Sequence, residues 1–291
     1  MIKSLPTAAA TRKGILTLML GMVLFTTMDA LAKGLVQSYP TPQVVWARFV
    51  GQTVLVMLFL GPSRIGTTLR TPYPWIHLAR SSCQLGANAF FFVSLPFIGL
   101  AEATALADIN PLMITVGAAL FLGEKLGPRR IAGVIVAMIG ALIIIRPGAG
   151  VFTPAALLPL GCAVSYAGNA LLTRLVGQRE GPATAMLHAA LFGAVITSLI
   201  MPWFWQPIAL IDLPKFIALG ALGTLGQLCI IRAFSMAEAS AIAPFSYLGI
   251  VFATLWGITL YGEYPDRWTL LGALVIAGSG LYVWHRETTK H

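Results

Sequence analysis

Residues 14–37 read GILTLMLGMVLFTTMDALAKGLVQ. At a helical rise of 1.5 Å per residue such a run reaches roughly 36 Å, enough to cross a hydrocarbon core of about 30 Å. The stretch is a membrane span, yet Asp29 and Lys33 sit in its second half, four residues apart and therefore on one helical face. On insertion scales each such charge costs about 2.5–3.5 kcal/mol. That face must turn toward partners or toward water, and function is expected along it.

The rest of the chain has the same character. Of its 291 residues 57% are hydrophobic and only 10% are charged, which excludes an ordinary soluble domain and points to a polytopic membrane protein. The net charge of +9 would suggest nucleic acid in a soluble chain, but the basic residues fall mainly in short connections and read as topology. Cys83, Cys162 and Cys229 lie inside apolar runs without paired spacing, so neither a disulfide framework nor a zinc site is expected. Arg12 and Lys13 before an apolar run, with Ala30-Leu31-Ala32 after it, have the form of a signal peptide. The run is longer than a signal core, however, and the second half of the chain holds its counterpart, so it is read as a span.

Ten spans are expected, at 14–37, 41–61, 74–96, 101–122, 128–146, 153–176, 183–206, 214–235, 240–261 and 266–285, separated by proline- and glycine-rich turns. With the N-terminus cytoplasmic, thirteen lysines and arginines fall on the cytoplasmic side and four on the other, which predicts that both termini are inside. An offset of 140 takes Gly21 to Gly161, Asp29 to Asn169, Pro42 to Pro182, Arg48 to His188, Pro74 to Pro214 and Gly86 to Gly226. With small indels Ala101-Glu102-Ala103 matches Ala237-Glu238-Ala239, and Gly123-Glu124 matches Gly262-Glu263. Two five-helix units are therefore expected, 14–146 and 153–285. The odd number of spans per unit inverts the second, an arrangement found in transporters with a site near the midplane.

Counting depth along alternating helices puts Asp29, Arg48, Asn88 and Asp108 in one layer, roughly 10–12 Å below the outer face. The repeat predicts a second layer of Asn169, His188, Gln227 and Tyr247, with Ser246 beside the last and Gln84 between the layers. The candidate substrate-binding set is Asp29, Gln84, Asn88, Asp108, Asn110, Tyr166, Asn169, Gln227, Ser246 and Tyr247. Charge balance or coupling is assigned to Lys33, Arg48, Asp108 and His188. Pro111 opens the helix ladder beside Asp108, and Pro244 offers the same break in the second unit, so both are candidate hinges.

Blander readings stand beside these. Asp29 with Lys33 or with Arg48 could be a structural ion pair, Lys33 and Arg80 could snorkel to the interfaces, and His188 could be a packed histidine. Glu124 and Glu263, at span ends near Lys125 and Arg267, are read as interfacial anchors without a transport role. Phe90-Phe91-Phe92, Trp46 and Trp256 are candidate cavity walls or simple packing. No nucleotide-binding, HExxH or GxSxG pattern is present, and His77, His188, His285 and His291 are scattered, which argues against an enzyme and against coupling to ATP within the chain.

The series Ala101-Glu102-Ala103, Pro111, Gly123-Glu124 and its partner Ala237-Glu238-Ala239, Pro244, Gly262-Glu263 resembles the EamA family of the drug/metabolite transporter superfamily, over nearly the whole chain. The resemblance implies an all-α protein of ten helices in two inverted repeats, working by alternating access around a cavity lined mainly by spans 1, 3, 4, 6, 8 and 9. Span 2, which carries Arg48, is then less central. Members carry amino acids, riboflavin, S-adenosylmethionine and other metabolites, outward or inward. The expectation is a secondary carrier of a small polar or zwitterionic metabolite in a bacterial inner membrane, without cofactor, metal or nucleic acid. Its partners are then lipid, the solute and a coupling proton at Asp108, and it acts as a monomer or homodimer. The alternative is a non-transporting membrane scaffold or receptor.

Overall fold

A computed structural model describes residues 8–122, 128–146, 154–176, 180–236 and 243–288, and these are helical apart from short connections. Among them run α1 (Ala8–Val36), α2 (Thr41–Leu60), α3 (Pro62–Leu69), α4 (Pro74–Ser94), α5 (Leu100–Ala107) and α6 (Asn110–Leu122). They continue with α7 (Pro128–Ile145), α8 (Leu158–Val176), α9 (Pro182–Phe204), α10 (Leu213–Met236), α11 (Leu248–Tyr261) and α12 (Arg267–Thr288). Single 3₁₀ turns, Pro154–Leu157 and Ala243–Tyr247, lead into α8 and α11. Proline in the first turn starts α2, α3, α4 and α9, where its missing N–H costs nothing. Gly61 and Gly262 end α2 and α11 at positive φ, 70° and 64°, where a side chain would be strained; Gly262 takes the left-handed helical cap.

Among the described residues six stretches are long and apolar enough to cross a membrane: Arg12–Val36, Thr41–Leu60, Leu100–Phe121, Pro154–Thr173, Pro182–Phe204 and Leu213–Met236. Two shorter apolar helices, Ile131–Ile145 and Phe245–Tyr261, accompany them. α4 falls outside this set because His77, Arg80, Gln84 and Asn88 interrupt its apolar run, and those four side chains are buried. Large apolar side chains such as Leu58, Trp75, Phe121, Val195 and Trp203 stand on the outer surface instead. In water they would be an aggregation hazard; against lipid they are the expected exterior of a multi-pass membrane protein.

The helices before residue 146 interleave with those after 153. α1 packs on α10, α4 on α8, α2 on α9 and α7 on α12, with further contacts of α2 to α10, α4 to α9, α1 to α11 and α6 to α8. Exchanging α1 with α8, α2 with α9, α4 with α10, α5–α6 with α11 and α7 with α12 turns this set of neighbours into itself. Close approach is bought with missing side chains. A Cβ on Gly51 would lie 2.8 Å from the Cα of Gly220 where α2 crosses α10. A Cβ on Gly272 would lie 2.6 Å from the Gly140 carbonyl where α7 crosses α12. Packing of small residues rather than hydrophobic expulsion holds helices together in lipid, so these crossings matter.

Gly272→Ala is expected to destabilise the protein by about 1–3 kcal/mol through backbone separation at this crossing. Gly278→Ala on the same helix meets nothing within 4 Å and should be neutral or slightly stabilising. Thermal unfolding of the two variants in detergent, compared with wild type, measures the difference.

Candidate functional site

The break between α5 and α6 shapes the centre of the bundle. Pro111 lacks an N–H, and α5 ends at Ala107, with Asp108 as its cap, before α6 restarts at Asn110. The Asp108 N–H still reaches the Thr104 carbonyl at 2.9 Å, and the Asn110 amide donates to the Ala107 carbonyl at 3.3 Å. This leaves the Asp108 carboxylate at a helix end, with Oδ2 buried and without a hydrogen-bond partner.

Beside it lies a cavity of about 550 Å³. α1 contributes Asp29, with Thr26 and Phe25 one turn below; α4 contributes Gln84, Asn88 and Phe91. α5 and α6 add Thr104, Asp108, Asn110 and Pro111, and α8 adds Cys162 and Tyr166. Gln227 of α10 and Ser246 and Tyr247 of the 3₁₀ turn complete the polar lining. Asp29 interacts electrostatically with Arg48 and with Asp108, and Tyr247 with Asp108. Nine of the ten candidate binding residues therefore share one cavity wall. The tenth, Asn169, stands behind it and donates to the Gln84 side-chain oxygen at 2.6 Å. Asn88 in turn donates to the Gln84 backbone carbonyl at 2.7 Å.

Arg48 also lines the cavity, although α2 is not among the helices the resemblance makes central. Its side chain is 3% exposed, crosses over Gly223 and lies 5.7 and 5.9 Å from the ring centres of Phe49 and Phe92. Nε donates to the Met28 sulfur at 3.3 Å, and Nη1 is buried without a partner. No oxygen of Asp29 comes within ion-pair distance of it among the described residues.

Lys33 is elsewhere. Its ammonium pairs with Glu263 at 2.5 Å and donates to the Ile98 carbonyl at 2.7 Å, while Glu263 accepts the Leu100 N–H at 3.0 Å. The Tyr261 hydroxyl donates to the Ala30 carbonyl next to this pair. The sequence places Glu263 only near Arg267; the lysine inside the apolar run 14–37 is the signal that a carboxylate must reach it, and at 3% exposure Lys33 is fully enclosed. Lys33 and Glu263 themselves line a second cavity of about 490 Å³, together with Glu102, Arg146, Asp266 and Thr269 among others, with Arg146 and Asp266 paired at 2.7 Å.

The opposite end of the bundle, where α1 begins, holds another cluster. His188 stacks on His77 with ring centres 4.5 Å apart, and His77 and Thr71 both bond to Glu180. Partial burial works to raise the Glu180 carboxyl, but those hydrogen bonds outweigh it and hold the group below its usual range. His188 thus faces α4 and not the cavity. Of the candidate walls, Phe91 lines the cavity, Phe92 backs Arg48, and Phe90 covers Gly161. Trp46 is bonded to Ser198 at 2.9 Å and packs edge-on against Trp205. Thr104 and Cys162 are lining residues that depth counting did not single out. Glu124 lies outside the described residues, as does the segment 237–242, and the Pro244 side chain is likewise undescribed.

Comparison with known proteins agrees with this architecture. The profile of the EamA-like transporter family matches residues 12–146 and again 153–284. The pseudopaline exporter CntI of Pseudomonas aeruginosa is 30% identical over 271 residues, covering 91% of this chain and 93% of that one. An S-adenosylmethionine uptake transporter of Rickettsia bellii is 26% identical, with 94% of each chain covered. A riboflavin transporter of Vibrio cholerae is 28% identical over 253 residues, with 86% and 85% covered. A crystal structure of a protein at 22% identity superposes with a TM-score of 0.64 over 93% of this chain and 96% of that one, a likeness of fold. Two profile matches that together span nearly the whole chain, over a helical bundle with a cavity at its centre, establish that this protein belongs to the EamA-like transporter family.

Proposed function

We propose that the protein is a secondary transporter that carries a small organic metabolite across a bacterial inner membrane by alternating access. The observation that carries the reading is the central cavity, about 550 Å³ in volume, whose polar lining comes from helices on both sides of residue 150. That volume falls within the range of about 300–1,000 Å³ typical of small-molecule sites. Pseudopaline, S-adenosylmethionine and riboflavin, named for the relatives, are metabolites of a size such a site could admit.

In this reading residues 14–146 and 153–285 are inverted five-helix repeats, giving ten spans with both termini cytoplasmic. The symmetric exchange of helix neighbours supports it. The lining runs from Asp29 toward Leu18 on α1 and Phe234 on α10, and so toward the end where α1 begins. At the other end the Lys33–Glu263 pair lines the second cavity, and the Tyr261–Ala30 bond joins α11 to α1 beside it. We therefore assign the described conformation as inward-facing, with Lys33 and Glu263 as the outer latch. The breaks at Pro111 and Pro244 are the hinges. Asp29, Asp108 and the amides Gln84, Asn88, Asn110 and Gln227 bind the solute with Tyr166, Ser246 and Tyr247, and Asn169 holds Gln84. Asp108 carries the coupling proton, and Arg48 balances the carboxylates.

The test is counterflow into proteoliposomes of metabolites whose levels change in cells lacking the protein. Saturable exchange of at least one is expected, and a protein that moves none would instead be a scaffold or receptor. Asp108→Asn should lose acceleration of transport by a pH gradient; unchanged gradient dependence would remove Asp108 from coupling. Joining Lys33→Cys to Glu263→Cys with a short bis-maleimide, in a background free of native cysteines, should stop exchange, whereas full exchange by the bridged protein would show that this pair is no gate.

A further inference from the structure

The state of the Arg48 guanidinium goes beyond charge balance. A planar guanidinium offers five N–H donors in a fixed fork, and a buried one ordinarily spends them on carboxylates or carbonyls. Here the described contacts hold the group in place and spend one of them. Phe49 and Phe92 flank it with their rings, Gly223 leaves the space it crosses, and its one recorded hydrogen bond goes to a thioether, a weak acceptor. Nη1 is buried and has no partner at all. A cation that is 3% exposed in the interior of a membrane protein, aligned by apolar neighbours and lining a cavity, has the properties of a prebuilt anion receptor.

The remaining lining narrows the anion. Asp29 and Asp108 share the cavity and interact with each other, so a dianionic phosphate would meet two carboxylates and be repelled. The Asp108 Oδ2 is itself buried without a partner and so lacks a donor. The complement of one guanidinium with unspent donors and two carboxylates is a single carboxylate carrying a cationic nitrogen a few atoms away. The geometry points to a solute with an amino-acid head: its carboxylate seats on the Arg48 fork, its ammonium lies between Asp29 and Asp108, and the rest of the molecule extends along Phe25 and Phe91. This inference rests on the carrier reading of the same cavity and names the substrate class within it. A neutral flat solute without a carboxylate would leave Arg48 unsatisfied in the loaded state, at a cost that an amino-acid head avoids.

Matched probes that differ only in the carboxylate test it on the full-length protein in nanodiscs: S-adenosylmethionine against decarboxylated S-adenosylmethionine, arginine against agmatine, histidine against histamine, and methionine against 3-methylthiopropylamine. Dissociation constants come from titrated thermal stabilisation. At least one acid is expected to bind about ten- to a hundredfold more tightly than its decarboxylated partner. Arg48→Gln should remove that preference, and Arg48→Lys should restore part of it. The proposal is overturned if acid and amine bind alike, if the amine binds more tightly, or if no acid binds. Because the wild-type pairs already decide between these outcomes, the test survives a failure of either variant to fold. Counterflow of a metabolite without an amino-acid head would overturn this inference while leaving the carrier reading intact; no counterflow of any metabolite would remove the carrier reading itself.

Discussion

A charged side chain inside a hydrocarbon layer must be surrounded by protein or by water, and the structure answers this constraint in two different ways. Lys33 is closed off, with a carboxylate at 2.5 Å and a backbone carbonyl at 2.7 Å. Arg48, equally buried, is positioned by rings and a thioether and left with donors to spare. Removing one partner of a closed pair leaves an uncompensated charge and is strongly destabilising. An open group carries that cost already, which natural proteins tolerate chiefly where another molecule supplies the missing partner. The bundle can be understood as a scaffold that keeps the first kind of charge at its end and the second at its centre.

That scaffold depends on interleaving. The principal contacts join a helix from one half to a helix from the other, so neither half has much of a core of its own. Met28, Phe49, Phe92, Leu106 and Leu219 form part of one cluster, contributed from both sides of residue 150. Alanine and glycine bring the backbones close enough for long side chains to reach past them. Arg48 depends on such room: α2 approaches α10 at Gly51 and Gly220, and Gly223, one turn further, leaves space for the guanidinium. A Cβ at Gly223 would lie 2.8 Å from the Met28 sulfur and 3.4 Å from Arg48 Nε.

Much of this was legible in the sequence, for identifiable reasons. Hydropathy marks lipid-facing length, and the depth of a residue follows from counting, so Asp29, Asn88 and Asp108 were expected in one layer and do line one cavity. Depth does not give azimuth. The ring of His188 turns to His77. Asn169 is one side chain removed from the cavity for the same reason. The spacing of Asp29 and Lys33 suggested a mutual pair, whereas the partner of Lys33 is 230 positions away and only tertiary packing brings it near. Arg48 reaches the cavity from α2, a helix the resemblance makes less central, because helix position says little about where a side chain of that length ends.

The placement of the Lys33–Glu263 pair in the wall of the second cavity has an energetic logic of its own. Inside protein, an ion pair owes its strength to low dielectric and opposes separation into apolar surroundings. If the same two groups are parted by an opening that admits water, each is rehydrated as it leaves the other, and the desolvation cost of burying them is returned. Such a contact therefore resists exposure to lipid far more than it resists exposure to an aqueous vestibule, and the lining of the second cavity, with Glu102, Arg146 and Asp266, is polar enough to hold that water. An apolar plug at this position would behave in the opposite way, since wetting it would be the costly step. With Lys33 3% and Glu263 32% exposed, an ion pair that lines a polar cavity is a contact that water loosens and lipid does not.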